Sequence, residues 1–148
     1  MTKIVFVCTG NTCRSPMAEA ILKSKNITGI EVKSAGIFAS DGADASSHAK
    51  KVLQENEITH IHQSSMLNQE MLDWANIILT MTNSHKNYII QQYPETNAKV
   101  YTIKEFVEND QGDVFDPYGG SLQNYRQTFN ELQQLIDKLI IKLTADHT

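Results

Sequence analysis

Ile4-Val5-Phe6-Val7-Cys8-Thr9-Gly10-Asn11-Thr12-Cys13-Arg14-Ser15-Pro16-Met17-Ala18-Glu19 is the stretch that decides the fold. Its first five residues form an unbroken apolar run rich in β-branched side chains, the pattern of a parallel strand buried on both faces. A short polar loop with one glycine follows. Ser15-Pro16 then reads as a helix start, with Ser15 as N-cap, Pro16 at the first helical position and Glu19 near the positive end of the dipole. A buried strand that runs through a tight loop into a helix is the first half of a βαβ unit.

The rest of the chain repeats that alternation. Glu31 to Ile37, Ile77 to Met81 and Lys99 to Ile103 read as three further strands. Helices are expected after Ser15, from Ser47 to Asn56, after Asn68 with Met71, Leu72 and Trp74 turned inward, and after a Thr82 cap, with Pro94 as the stop. The last helix is the clearest: Leu122, Tyr125, Phe129, Leu132, Ile136, Leu139, Ile140 and Leu143 recur at helical spacing. The expected architecture is α/β, a three-layer doubly wound fold with a central, mostly parallel four-stranded sheet and helices on both faces. With 148 residues and no repeat or linker, residues 1–148 read as one domain.

Composition narrows the function classes. Hydrophobic residues make up 41% and charged residues 20%, and no apolar run approaches the length of a membrane span. The apolar stretch after Met1 is too short for a secretory signal, so the expected address is cytoplasmic, with no membrane partner. A net charge of −4 without a basic block argues against nucleic acid. Two cysteines five positions apart make neither a disulfide framework nor a zinc site.

Ligands of doubly wound sheets bind beyond the carboxyl ends of the strands, and the first strand ends at Cys8. The loop from Cys8 to Ser15 is expected to curl into a nest of backbone N–H groups at a helix N-terminus, an anion site. Gly10 is read as supplying the backbone freedom for the curl. Arg14 offers a permanent planar fork for two phosphate oxygens. Donors and positive charge at that point favour a Cys8 thiolate, to which Ser15 adds a hydroxyl, and a thiolate there attacks phosphorus in line. The leaving group needs a proton, for which Asp116 is the candidate, set in an extended direction by Pro117. Asp113 is the rival acid, and Tyr118 is a candidate pocket wall.

These residues resemble the low-molecular-weight protein tyrosine phosphatase family over essentially the whole chain. The likeness rests on Cys8 to Glu19, on Ser34-Ala35-Gly36 and on Asp116-Pro117. It implies Cys8 as nucleophile, Arg14 as phosphate clamp and Asp116 as acid and then base, acting through phosphocysteine. Thr9, Gly10, Asn11, Thr12, Cys13, Ser15 and Tyr118 would bind substrate or phosphate, with Asn11 and Ser15 shaping the loop. It implies phosphorylated proteins as substrates, inorganic phosphate as product, and no cofactor or metal.

Two departures narrow the likeness. Thr12 stands where the tyrosine phosphatases usually carry a bulkier aliphatic, and Tyr118-Gly119-Gly120 replaces adjacent tyrosines. Both resemble the bacterial protein-arginine phosphatase branch; a phosphotyrosine enzyme with a neutral Thr12 is the alternative. Thioredoxin-coupled arsenate reductase is a remote one, since Thr82 to Pro94 holds no relay cysteine. Cys13 is either a core bystander or a redox partner that forms a disulfide with Cys8. His60 and His62 read as a solvated pair without a third ligand, and His85 as a helix-start residue within reach of a neighbouring loop.

Overall fold

The computed structural model describes residues 2–145; Met1 and residues 146–148, which belong to the expected single domain, lie outside the described residues. The elements are β1 (Thr2–Cys8), α1 (Arg14–Ser24), β2 (Ile30–Gly36), α2 (Ser47–Glu55), α3 (Gln69–Trp74), β3 (Ile77–Thr80), α4 (Asn83–Gln92), β4 (Val100–Thr102), α5 (Ile103–Glu108) and α6 (Leu122–Ala145). The four strands pair in the order β2-β1-β3-β4, and every pairing is parallel. The expected α/β three-layer architecture is therefore the observed one.

The two faces of β1 explain the layers. Ile4, Phe6 and Cys8 turn into a cluster with Met17, Ile21, Val52, Phe129, Leu132 and Ile136, contributed by α1, α2 and α6. Val5 and Val7 turn the other way, against Leu72, Ala75, Ile89 and Val100. Each large apolar side chain buried this completely stabilises the fold by about 1.5–3 kcal/mol. Both clusters need the central strand, which fixes its carboxyl end, and hence Cys8, in the most constrained part of the molecule.

Several local expectations shift. Helix α1 begins at Arg14 and has no side-chain cap. Ser15 is not the N-cap, because its hydroxyl is engaged behind the phosphate loop. Asn68 and Thr82 do cap their helices, accepting from Met71 N and His85 N. Helix α4 ends at Gln92, and Pro94 opens a single 3-10 turn. Leu72 is buried as expected, whereas Met71 and Trp74 are only half-buried against the second cluster. Helix α5 was not expected: Thr102 accepts from Glu105 N and starts it where the strand reading ran on to Ile103. Its T-x-x-E spacing is that of a capping box, of which the threonine half is made. Along α6, Tyr125, Phe129, Leu132, Ile136 and Leu139 are buried, while Leu122, Ile140 and Leu143 flank the core.

Candidate active site

The loop from Cys8 to Arg14 leaves the central strand and enters α1. Its carbonyls are held from outside. Cys8 O accepts from Ile37 N at 3.1 Å, Thr9 O from Phe38 N at 2.9 Å, and Thr12 O from Ser46 N at 2.8 Å. Asn11 O accepts from His62 Nε2 and Ser64 Oγ, both at 2.7 Å. In a trans peptide the following N–H points opposite to the carbonyl. The amides of Thr9, Gly10, Thr12 and Cys13 therefore converge on the inside of the loop, a ready anion nest.

The backbone freedom that makes the curl lies at Asn11 and not at Gly10. Asn11 has φ 55°, whereas Gly10 has no positive φ, and a Cβ on Gly10 would make only ordinary contact with Thr12 Oγ1 at 3.6 Å. The glycine that the loop does require is Gly36. A Cβ there would meet Thr9 O at 2.5 Å and Asn11 N at 2.8 Å. The loop is laid directly on the end of β2, which no side chain could permit.

Behind the loop runs a polar chain. Asn11 Oδ1 accepts from Ser65 N at 2.9 Å, which fixes the orientation of its amide. Both amide hydrogens are then committed, to Ser15 Oγ at 2.8 Å and Ser34 Oγ at 2.9 Å. Ser34 donates to Glu19 Oε1 at 2.6 Å. Ser15 Oγ, already accepting from Asn11, has its own hydrogen for Cys8 Sγ at 2.8 Å. Asn11 and Ser15 are fully buried and stand behind the cleft, so their side chains support the loop and do not line the pocket. Burial pushes the Glu19 carboxyl up, but His60, His62, Lys23 and Ser34 outweigh it and hold it well below the usual carboxylate range.

In front of the loop is a cleft of about 280 Å³ lined by Cys8, Thr9, Gly10, Thr12, Cys13, Arg14, Asp116 and Tyr118. A wider depression of about 560 Å³ lies beside the amino end of β2, around Ile30, Val32 and Trp74, but no cysteine or arginine lines it. Arg14 is buried, donates to Val114 O at 3.1 Å and approaches Asp116 Oδ2 at 3.6 Å. Asp116 accepts from Tyr118 N at 3.0 Å, a turn that brings both side chains to the rim. Asp113 is turned away, accepting from Asn83 N at 2.8 Å and Asn83 Nδ2 at 3.0 Å, and it ties the loop to α4.

Both cysteines are free thiols. Cys13 Sγ lies 3.3 Å from Tyr125 Oη and 3.7 Å from Ser46 Oγ. Burial first, then the Cys13 contact, pushes the Tyr125 phenol up to about 12, which keeps it protonated. His85 Nε2 lies 2.9 Å from Thr9 Oγ1, the neighbouring-loop contact that its place at a helix start suggested. Burial, then the Arg14 charge, lowers His85 to about 4.

His60 and His62 differ from their sequence reading. Neither is in a strand and neither is solvated; their side chains are 8% and 3% exposed. Glu19, far away in sequence, supplies the third group of the cluster. No local spacing signals this, because α1 and the segment before α3 meet only in the fold.

A cysteine in an amide nest, with a buried arginine and an opposed aspartate, defines a cysteine-dependent phosphatase. The family described as low molecular weight phosphotyrosine protein phosphatase matches residues 3–148. The chain belongs to that family. It is 51% identical over 144 residues to a protein-arginine-phosphatase of Geobacillus stearothermophilus, covering 97% of each chain. The solved structure of the YwlE arginine phosphatase from Geobacillus stearothermophilus superposes with a TM-score of 0.98 at 50% identity, over 99% of this chain and 95% of that one. A Cys-to-Ser mutant of YwlE arginine phosphatase with a phosphorylated active-site serine superposes with a TM-score of 0.95 at 44% identity, over 98% and 97%. Among the described residues, no helix is long and apolar enough to cross a membrane.

Proposed function

We propose that this chain is a protein-arginine phosphatase, hydrolysing phosphoarginine in proteins through a phosphocysteine intermediate on Cys8. The reading takes residues 1–148 as one catalytic domain, as the shared central strand supports. The observation that carries the arginine assignment is Thr12, a short polar side chain lining the cleft beside Cys8, together with the relatives named above.

The phosphoryl group sits in the nest, its equatorial oxygens on the loop amides and the Arg14 fork. Cys8 attacks phosphorus in line with the departing guanidinium nitrogen. Asp116 delivers a proton to that nitrogen as the P–N bond breaks, so that arginine leaves as its guanidinium cation and phosphate stays on sulfur. Asp116, now a carboxylate, takes a proton from water as the water attacks phosphocysteine. Inorganic phosphate and the thiolate are released. Ser15 supports the sulfur in each state where it carries charge, held in place by Asn11. Tyr118, 78% exposed, walls the cleft entrance. The site needs no cofactor for this sequence of steps. The chemistry is that of a cytoplasmic enzyme working on phosphorylated proteins, with neither nucleic acid nor membrane as partner.

The test is steady-state hydrolysis of phosphoarginine and phosphotyrosine side by side with the wild type, Thr12→Ile and Cys8→Ser. Phosphoarginine should be preferred, Thr12→Ile should move activity towards phosphotyrosine, and Cys8→Ser should lose at least about 10³-fold in kcat. A wild type that prefers phosphotyrosine refutes the substrate assignment. Activity retained by Cys8→Ser refutes the mechanism.

A further inference from the structure

Three electron-rich atoms face one another on the outer side of the phosphate loop. Glu19 Oε1 lies 3.6 Å from His60 Nε2 and 3.7 Å from His62 Nδ1, and all three atoms lie within 4.8 Å of one another. His62 has its tautomer set: Nε2 carries a hydrogen because it donates to the Asn11 carbonyl at 2.7 Å. In the neutral ring, Nδ1 thus turns a bare lone pair towards the Glu19 carboxylate. His60 Nε2 is buried and, among the described residues, has no hydrogen-bond partner, on a side chain only 8% exposed. The His62 lone pair and the carboxylate oxygen repel one another unless a proton or a metal cation lies between them, and the unpartnered His60 nitrogen stands beside both.

We propose that Glu19, His60 and His62 form a binding site for a divalent transition-metal cation of the Zn2+ class. The donor set, two imidazoles and one carboxylate, is one that Zn2+ accepts in tetrahedral geometry, with a fourth position left for solvent. Donors about 2.1 Å from a tetrahedral ion stand about 3.4 Å apart. The two Glu19–histidine separations are within a few tenths of an ångström of that, and only the pair of imidazoles must close further. The cluster opens on a cavity of about 300 Å³ that Gln63, Ser65 and Lys33 also line, the last with its ammonium over the Trp74 ring, and this cavity gives the ion an entry and the solvent ligand a place.

The surroundings match those of a metal site. His62 donates its second ring nitrogen to a backbone carbonyl, and Ser34 donates to the ligating carboxylate oxygen at 2.6 Å. Such outer contacts orient the ligands and raise their basicity. Lys23 Nζ holds the other carboxylate oxygen at 2.8 Å, which leaves Glu19 a single free coordinating oxygen. The lysine side chain is half exposed, so its charge is screened by water and weakens the site without filling it. Occupancy would be felt at Cys8, since Glu19 and His62 both hold the Asn11–Ser15 chain.

The experiment uses the tag-free full chain carrying Cys8→Ser and Cys13→Ser, so that no thiolate competes for metal and the outcome is independent of the phosphatase reading. Titration with Co2+ at pH 7.5, followed by visible absorption, should saturate at one equivalent with the d–d bands of a nitrogen–oxygen site, and Zn2+ should displace it. Adding His60→Ala to that chain should weaken Co2+ binding at least 10-fold. If that variant unfolds, imidazole nitrogen NMR of the parent replaces it, and Zn2+ should shift His60 Nε2 and His62 Nδ1. The proposal is overturned if Co2+ does not saturate, so that the two imidazoles answer Glu19 with protons alone. It is equally overturned if folded His60→Ala binds as tightly as the parent, or if Zn2+ leaves both nitrogens unshifted.

Discussion

Gly36→Ala is expected to damage the site from behind without touching any group that meets substrate. The new Cβ would stand 2.5 Å from Thr9 O, where ordinary contact begins at 3.4 Å, so the loop must retreat by about 0.9 Å. Backbone cannot swing aside as a flexible side chain does. Overpacking of this kind costs about 1–3 kcal/mol, and loss of the bond from Phe38 N to Thr9 O adds about 1 kcal/mol. In a chain of 148 residues a total of about 3 kcal/mol lowers Tm by roughly 6–12 °C. Because the retreating segment carries the amides that hold phosphate, kcat/KM should fall on the order of 10²-fold. Thermal unfolding and p-nitrophenyl phosphate hydrolysis read both effects. Gly10→Ala is the control: it has space for a methyl and no positive φ, so its Tm should move by only about 1 °C. The reasoning fails if Gly36→Ala keeps its Tm and its activity, or if Gly10→Ala is the more destabilised of the two.

Asp116→Asn should lower kcat on phosphoarginine by about 10²–10⁴-fold, with a much smaller loss on p-nitrophenyl phosphate, whose leaving group departs unprotonated. Equal losses on both substrates would remove Asp116 from the proton-transfer step. His85 is held near 4 in the folded chain against 6.5 in its ordinary state, so the unfolded chain binds the extra proton first. Its contribution to stability is full above pH 6.5 and is lost as pH falls towards 4, on the order of 2–3 kcal/mol by pH 4.5. Urea unfolding at pH 7 and 4.5 should show His85→Gln losing correspondingly less than the wild type; identical losses would refute the assignment. If Cys13 forms a protective disulfide with Cys8, peroxide-treated wild type regains activity with dithiothreitol and Cys13→Ser does not. Equal recovery of the two makes Cys13 a packing residue held by Tyr125.

The fold was legible wherever a side-chain period had one cause. The apolar run at Ile4–Val7 and the helical stripe of α6 reflect burial alone, and both are in place. Reading failed where a side chain had a second demand on it. Ser15 and Pro16 look like a capped helix start, but the Ser15 hydroxyl is claimed by Cys8 and Asn11, so α1 starts without a side-chain cap. Helix α5 was hidden because six residues are too few to show a period. Only the capping spacing of Thr102 and Glu105 marks it.

The site divides along the same line. Its front is contiguous: Cys8 to Arg14 and Asp116 with Tyr118 are two short segments, and each could be read for chemistry because the residue types that bind phosphate and move protons are few. Its back is assembled from α1, the end of β2 and the segment before α3. Glu19, Ser34, Ser64 and His62 carry no mutual spacing in the chain, yet they decide which way the Asn11 amide faces and where the Ser15 hydrogen goes. Ser34-Ala35-Gly36 shows how the two halves join. As a string it says little, but Ser34 accepts from Asn11 while Gly36 lets the loop lie flat on the strand, so one tripeptide sets both the charge pattern and the height of the nest. The nucleophile's reactivity thus depends also on residues that never meet the substrate, and a variant at Ser34 or Asn11 should alter Cys8 alkylation even where the cleft is unchanged.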